Sequence, residues 1–179
     1  NRCRDIIRGL LDFSRQRKPD KTLCDVHEVI HECVSLVEHQ ALFHNIEVIK
    51  HFQDDLPMAI IDASQIERVF INMIINAAEA MDGDGHLSIS TRYSKRRDCI
   101  ELAFSDTGSG IHEEDLKRIF DPFFTTKGVG KGTGLGLSMV YGLIKQSDGH
   151  ITVTSNLGVG TTFRIYLPRA SGKKIGRAS

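Results

Sequence analysis

Three groups of residues carry types and spacings that chemistry needs. The first is a polar line, Gln65, Arg68, Asn72, Asn76 and Glu79, at spacings of three and four through an otherwise apolar run: Val69, Phe70, Ile71, Met73, Ile74, Ile75, Ala77, Ala78, Ala80 and Met81. That spacing puts the line on one face of a helix. Gln65 and Arg68 alone would fit a solvated edge. Two asparagines among isoleucines point instead to a polar cavity that takes a ligand, because buried amides without partners are costly. The second group follows the strand Ile100, Leu102, Phe104, whose inward parity continues to Asp106. A carboxylate on the core face at a strand end must accept hydrogen bonds. Thr107-Gly108-Ser109-Gly110-Ile111 then lets the backbone turn sharply and approach a ligand closely. Such a pocket suits a planar base offering an amino group, and Thr161 shares the inward parity of Phe163 on the last strand. The third group is Lys127-Gly128-Val129-Gly130-Lys131-Gly132-Thr133-Gly134-Leu135-Gly136-Leu137, running into a helix. Glycines ahead of a helix N-terminus expose amides and the positive end of the dipole, which is phosphate chemistry. The plainer alternative is a flexible, glycine-rich cap.

Three other patterns are weaker. Asp106-Thr107-Gly108-Ser109 matches the aspartic-protease tetrapeptide, but that reaction needs two carboxylates sharing a proton and there is no second such loop. Glu113-Glu114-Asp115-Leu116 after it looks like a helix start. His27-Glu28-Val29-Ile30-His31 matches HExxH, yet no clear third ligand follows and an amphipathic helix explains the segment. The glycine-rich stretch fails both the Walker and the GxGxxG patterns, since Gly132 follows Lys131.

Positioning these groups takes a mixed set of elements. Cys3, Ile6, Ile7, Leu10, Leu11 and Phe13 form a helical stripe that ends before Lys18-Pro19-Asp20, and one short helix with such a stripe requires a partner helix. Asp25 caps a second helix, and Asp62 caps a third over roughly residues 63–81. Strand patterns occur at Ile46–Phe52, Met58–Ile61, Leu87–Tyr93, Ile100–Phe104, Ile151–Val153 and Phe163–Leu167, with a further helix near 134–147. Neighbouring, alternating strands favour an α+β fold, a largely antiparallel sheet covered on one side by helices. Residues 169–179 read as an untethered basic tail.

Composition narrows the classes. Lys plus Arg is 23 and Asp plus Glu is 23, so no bulk attraction draws the chain to nucleic acid. No apolar run reaches the roughly 18 residues of a membrane span. Four cysteines without CxxC spacing suit a reduced, cytoplasmic setting. The chain starts at Asn1 without Met and reads as an excised piece of a longer protein.

Taken together, the blocks resemble the ATP-binding catalytic domain of sensor histidine kinases, in the superfamily that includes DNA gyrase B and the heat-shock chaperones. Asn72–Ala77 looks like the N box. Asp106–Gly110 looks like the first glycine box, Phe120-Asp121-Pro122-Phe123-Phe124-Thr125-Thr126-Lys127 like the F box, and Gly132–Leu137 like the second glycine box. Gly160-Thr161 fits the closing strand. The ordered set spans about residues 24–168. Leu10-Leu11-Asp12-Phe13-Ser14-Arg15 resembles the end of the second helix of the dimerisation and phosphoacceptor hairpin, with a flavour of nitrogen-regulation-type or PAS-linked kinases.

The resemblance implies a two-layer α/β sandwich of the Bergerat ATP-binding type, with a mostly antiparallel mixed sheet. It divides the chain into a hairpin remnant at 1–17, a linker at 18–23, the catalytic domain at 24–168 with a lid at about 112–133, and a loose tail at 169–179. It assigns Mg²⁺ to Asn76 with support from Asn72, and the adenine amino group to Asp106 with help from Thr161. Gly108 and Gly110 would admit adenine, and Ile111 would line it. Phe120, Phe123 and Phe124 would anchor the lid, and Phe120 and Thr126 would count among the nucleotide-binding residues. Lys127 would reach the phosphates, and Gly132, Thr133, Gly134, Leu135, Gly136 and Leu137 would cradle them. The superfamily's hydrolases carry a glutamate four residues before the N-box asparagine; here that position is Asn72, which favours an external imidazole over water as the nucleophile.

The acceptor pattern, His then Glu or Asp and a nearby Pro, is absent from the 179 residues, so the resemblance places the acceptor histidine upstream of Asn1, in the part of the hairpin that precedes residues 1–17. It further implies a response-regulator receiver domain as partner and a homodimer in the full-length protein, with this piece able to stand as a monomer. Glu79 and Ala80 stand where some members carry Lys and Tyr, which shifts phosphate contacts to Lys127 and Lys131. An anti-sigma-type serine kinase or a nucleotide-dependent protein-binding switch is the alternative.

Overall fold

A computed structural model describes residues 2–14, 18–127, 134 and 136–171. Helix α1 (Arg2–Ser14) carries the expected stripe, and Ile7, Leu10 and Leu11 on it are exposed. Strand β1 (Thr22–Cys24) precedes α2 (Val26–Val37), which Asp25 caps by accepting from the His27 amide at 2.9 Å. A single 3₁₀ turn at Ala41–Phe43 leads to β2 (Asn45–Phe52) and then β3 (Ala59–Ile61). Next come α3 (Ala63–Ala80), β4 (Asp84–Ser94), β5 (Cys99–Asp106), the short α4 (Glu113–Leu116), α5 (Gly136–Gln146), β6 (His150–Asn156) and β7 (Gly160–Pro168).

The main sheet has the order β2-β4-β5-β7-β6. Every pairing is antiparallel except β2 with β4, which is parallel. The parallel pair follows from connectivity: α3 lies between β2 and β4 and crosses over the sheet. This is the expected two-layer arrangement with a mostly antiparallel mixed sheet. Alternation sends Leu87, Ile89, Ile100, Leu102, Phe104, Phe163, Ile165 and Leu167 to the helix side, all buried. There α3 sits between α2 and α5 and rests on β4 and β5. Its Ile66, Val69, Phe70 and Ile74 are fully buried, with the Phe70 ring 5.6 Å from Phe104. Each such side chain contributes about 1.5–3 kcal/mol. On the opposite face Arg92 grips the Glu101 carboxylate at 3.0 and 2.8 Å.

At both expected boundaries the chain makes contacts with the domain. The linker at 18–23 is bound to the domain: β1 pairs with β3, Lys21 meets Asp148 at 2.6 Å, and the Asp20 amide donates to Asp62 at 2.9 Å. Asp62, buried at the start of α3, also accepts from the amides of Ser64 and Gln65. Burial alone would raise its pKa, but these donors hold it below the usual carboxylate value. At the other end Arg169 is no part of a loose tail. It bridges to Ala59 and donates to Asp98 at 2.5 Å, while the Ala170 amide donates to the Met58 carbonyl at 2.7 Å. Residues 172–179 lie outside the described part.

The two histidines of the HExxH pattern make structural contacts. His27 stacks on Phe52 at 4.4 Å and bonds Thr91 at 2.7 Å, and burial lowers its pKa; His31 meets Lys50 at 2.8 Å. Burial pushes the Cys33 thiol up to about 12, which keeps it an inert core group.

Candidate nucleotide site

Asp106 ends β5, where inward parity turns it beneath α3. Its Oδ1 accepts from the Gly108 amide at 2.8 Å and the Thr161 amide at 3.3 Å. Its Oδ2 has no partner among the described residues. Burial raises its pKa, and those two amides pull it part of the way back. Thr161 thus supports Asp106 through its backbone, while its hydroxyl pairs with Ser155 at 2.8 Å. Ser155 also accepts from the Ile111 amide at 2.8 Å. Sequence reading missed this serine, although it continues the inward row Ile151, Val153 on β6.

The two glycines beside Asp106 serve the protein's own backbone. A Cβ on Gly108 would stand 2.6 Å from the Ala80 carbonyl oxygen, at the end of α3, which also accepts from the Ser109 amide at 3.1 Å. Gly110, with φ +76°, would place a Cβ 2.4 Å from the Asn156 carbonyl oxygen. These positions pin the loop after β5 between α3 and the β6–β7 turn.

The polar line of α3 divides. Gln65 is buried near the N-terminus, and Arg68 reaches the Met139 sulfur at 3.0 Å. Asn72 donates to the Arg68 carbonyl at 2.9 Å, and its Oδ1 faces the first residue of α5, where a Cβ on Gly136 would be 3.3 Å away. The half-buried Asn76 amide has no partner among the described residues. Glu79, three residues on, is ion-paired with Lys127.

Phe120 packs between Tyr141 and Phe163, at ring distances of 5.5 and 6.4 Å, and Phe124 lies under the Arg118 guanidinium. Phe123 is no side-chain anchor: it is 57% exposed and held by its backbone, its amide donating to the Gly134 carbonyl at 2.9 Å. Both residues adopt positive φ, and a Cβ on Gly134 would strike the Phe123 backbone. Ile111 and Leu137 pack partly on the core, and Thr126 is exposed. Gly132, Thr133, Leu135 and Lys131 lie outside the described residues.

No group of three or more His, Cys, Asp or Glu that could hold a metal occurs among the described residues. Magnesium is content with one or two protein oxygens plus phosphate and water. The unpartnered Asn76 amide, with Asn72 one turn before it, fits that requirement.

Residues 61–171 match the family of histidine kinase-, DNA gyrase B- and HSP90-like ATPases. The chain belongs to this family. It is 40% identical over 188 residues to the sensor kinase CckA of Brucella abortus, covering 97% of this chain and 20% of that protein. It therefore spans about a fifth of that relative. The catalytic domain of the histidine kinase ThkA superposes with a TM-score of 0.74 at 29% identity, over 84% of this chain and 96% of that one. A ThkA structure in complex with the response regulator protein TrrA gives 0.78 at 26% identity, over 94% of this chain and 48% of that one. Membership in this ATPase family matches the expected fold and family. No helix among the described residues is long and apolar enough to cross a membrane.

Proposed function

We propose that this chain is the catalytic domain of a sensor histidine kinase. It binds Mg-ATP and moves the γ-phosphoryl group to a histidine outside residues 1–179, for onward transfer to a response-regulator aspartate. The observation that carries this is Asp106: a half-buried carboxylate with one oxygen fixed by two amides and the other left for a donor. The Asp106 Oδ2 accepts from the adenine amino group. Asn76 supplies the protein oxygen for Mg²⁺, which neutralises charge on the phosphates when bound. Lys127 and the amides at the start of α5 hold the phosphate chain. The family names of CckA and ThkA and the ThkA complex with TrrA support the reaction class and the receiver partner.

The chain's own residues position the phosphates, and position 72 provides no base for water. Asn72 stands where a hydrolase would need a carboxylate, and its amide is turned onto the Arg68 carbonyl. Transfer to an imidazole needs alignment and charge stabilisation more than a protein base. The full-length enzyme works as a homodimer, cytoplasmic or anchored in the inner membrane with this domain inside, in which the hairpin ending in α1 brings the acceptor.

Nucleotide titration tests the reading. Asp106→Asn presents an amide NH₂ or an oxygen in place of the carboxylate, and ATP affinity falls about 10- to 100-fold; an unchanged affinity overturns the role of Asp106. In the parent, adenosine affinity weakens as pH falls through the raised Asp106 pKa, because only the ionised carboxylate is a full acceptor, and Asp106→Asn removes that dependence. Joined to its own upstream helices, the chain gains an acid-labile phosphoryl label on histidine. An acid-stable label would instead favour a serine kinase.

A further inference from the structure

Glu79 and Lys127 form a contact that the boxes do not explain. Glu79 lies one helical turn beyond Asn76 on the same polar line of α3, and Lys127 follows the F-box phenylalanines. The two side chains are ion-paired and each is 38% exposed. No other acidic side chain is paired with Lys127 among the described residues. A lysine already neutralised in this way is not a free phosphate ligand. A polyphosphate must take the ammonium group from Glu79 and tolerate the carboxylate left beside it.

We propose that Glu79 competes with the terminal phosphate for the Lys127 ammonium group and so limits how strongly the site prefers ATP over ADP. The inference rests on the ATP-site reading above. The strength of an exposed ion pair suits the role, because it biases the lysine without locking it. The effect is confined to phosphates: among the described residues Asp106 and Thr161, which would meet the base, form no hydrogen bond with either partner. Glu79 is accordingly a positioning residue that acts through Lys127.

Calorimetric titration with ATP, ADP and adenosine, each with Mg²⁺, separates the outcomes. Glu79→Gln tightens ATP by about two- to fivefold, tightens ADP less and leaves adenosine unchanged. In the Lys127→Met background the gain from Glu79→Gln shrinks. An equal shift for adenosine and ATP would mean a general structural effect and overturns the proposal. So does a gain of undiminished size in the Lys127→Met background, or an ATP affinity that is unchanged or weaker in Glu79→Gln. A parent chain that binds no nucleotide overturns the ATP-site reading itself. A parent that binds ATP but shows no phosphate-dependent effect of Glu79 overturns only this inference. Thermal unfolding of each variant shows whether the fold is intact.

Discussion

Around Asp106, polar groups are held by several partners, and glycines stand where a side chain would strike backbone. Asp106 is fixed by two amides, Ser155 joins Ile111 to Thr161, and Gly108 and Gly110 are pressed against Ala80 and Asn156. Around α3 and the start of α5 Gly134 is likewise pressed on the Phe123 backbone, but the side chains hold on at single points. Asn72 makes one bond to its own helix, Asn76 is unpartnered among the described residues, Lys127 leans on Glu79, and Phe123 is tied by one backbone bond. Under the proposed function the first region meets a base that keeps its shape through every turnover. The second meets a phosphate chain that changes in length and charge. Preorganisation is concentrated where the ligand is constant, and adjustable contacts where it is not.

The sharpest way to break this contrast is to disturb the wired end. Gly110→Ala puts a methyl group 2.4 Å from a backbone oxygen at a left-handed φ. It costs about 3 kcal/mol, visible as a melting temperature lower by roughly 6–12 °C; a shift under about 2 °C would show that this loop gives way easily. Ser155→Ala strands the Ile111 amide and the Thr161 hydroxyl, and costs about 1–2 kcal/mol in chemical denaturation with adenosine affinity reduced alongside. Equal stability for this variant would mean that water replaces the hydroxyl. On the other side, Gly142 lies inside α5 with nothing within 4 Å of its would-be Cβ. Gly142→Ala should therefore stabilise the chain, by about 0.5–1 kcal/mol, and a loss on denaturation would contradict the looser packing described for that end.

The same contrast governs what sequence could reveal. The inward carboxylate at Asp106, the caps at Asp25 and Asp62, and the helix of residues 63–80 all follow from short-range rules of parity, capping and periodicity, and they stand where those rules put them. Gly108 and Gly110 were legible as glycines that something approaches; that the approaching groups are Ala80 and Asn156 depends on tertiary placement, which spacing does not encode. Ser155 was missed because one hydroxyl on a strand carries no pattern of its own. The parallel pairing of β2 with β4 depends on a crossover, where local alternation looks the same for either direction. The three-residue strand β1 shows no alternation signal, and only its partner β3 makes it a strand. The resemblance makes Phe123 a lid anchor, but its side chain is exposed, and its backbone amide, at a φ of +68°, is what ties it to Gly134.

The docked linker sets a length scale. Five residues stand between Ser14, the last of α1, and Asp20, the first described residue after it that bonds to the domain. However they are arranged, they reach no more than about 20 Å. Whatever α1 carries therefore stays within a small volume around the first turn of α3, at an effective concentration in the millimolar range that dilution of the protein does not lower. Cutting the bond between Asp20 and Asp62 would lengthen that tether and dilute the encounter, with no residue of the nucleotide site altered.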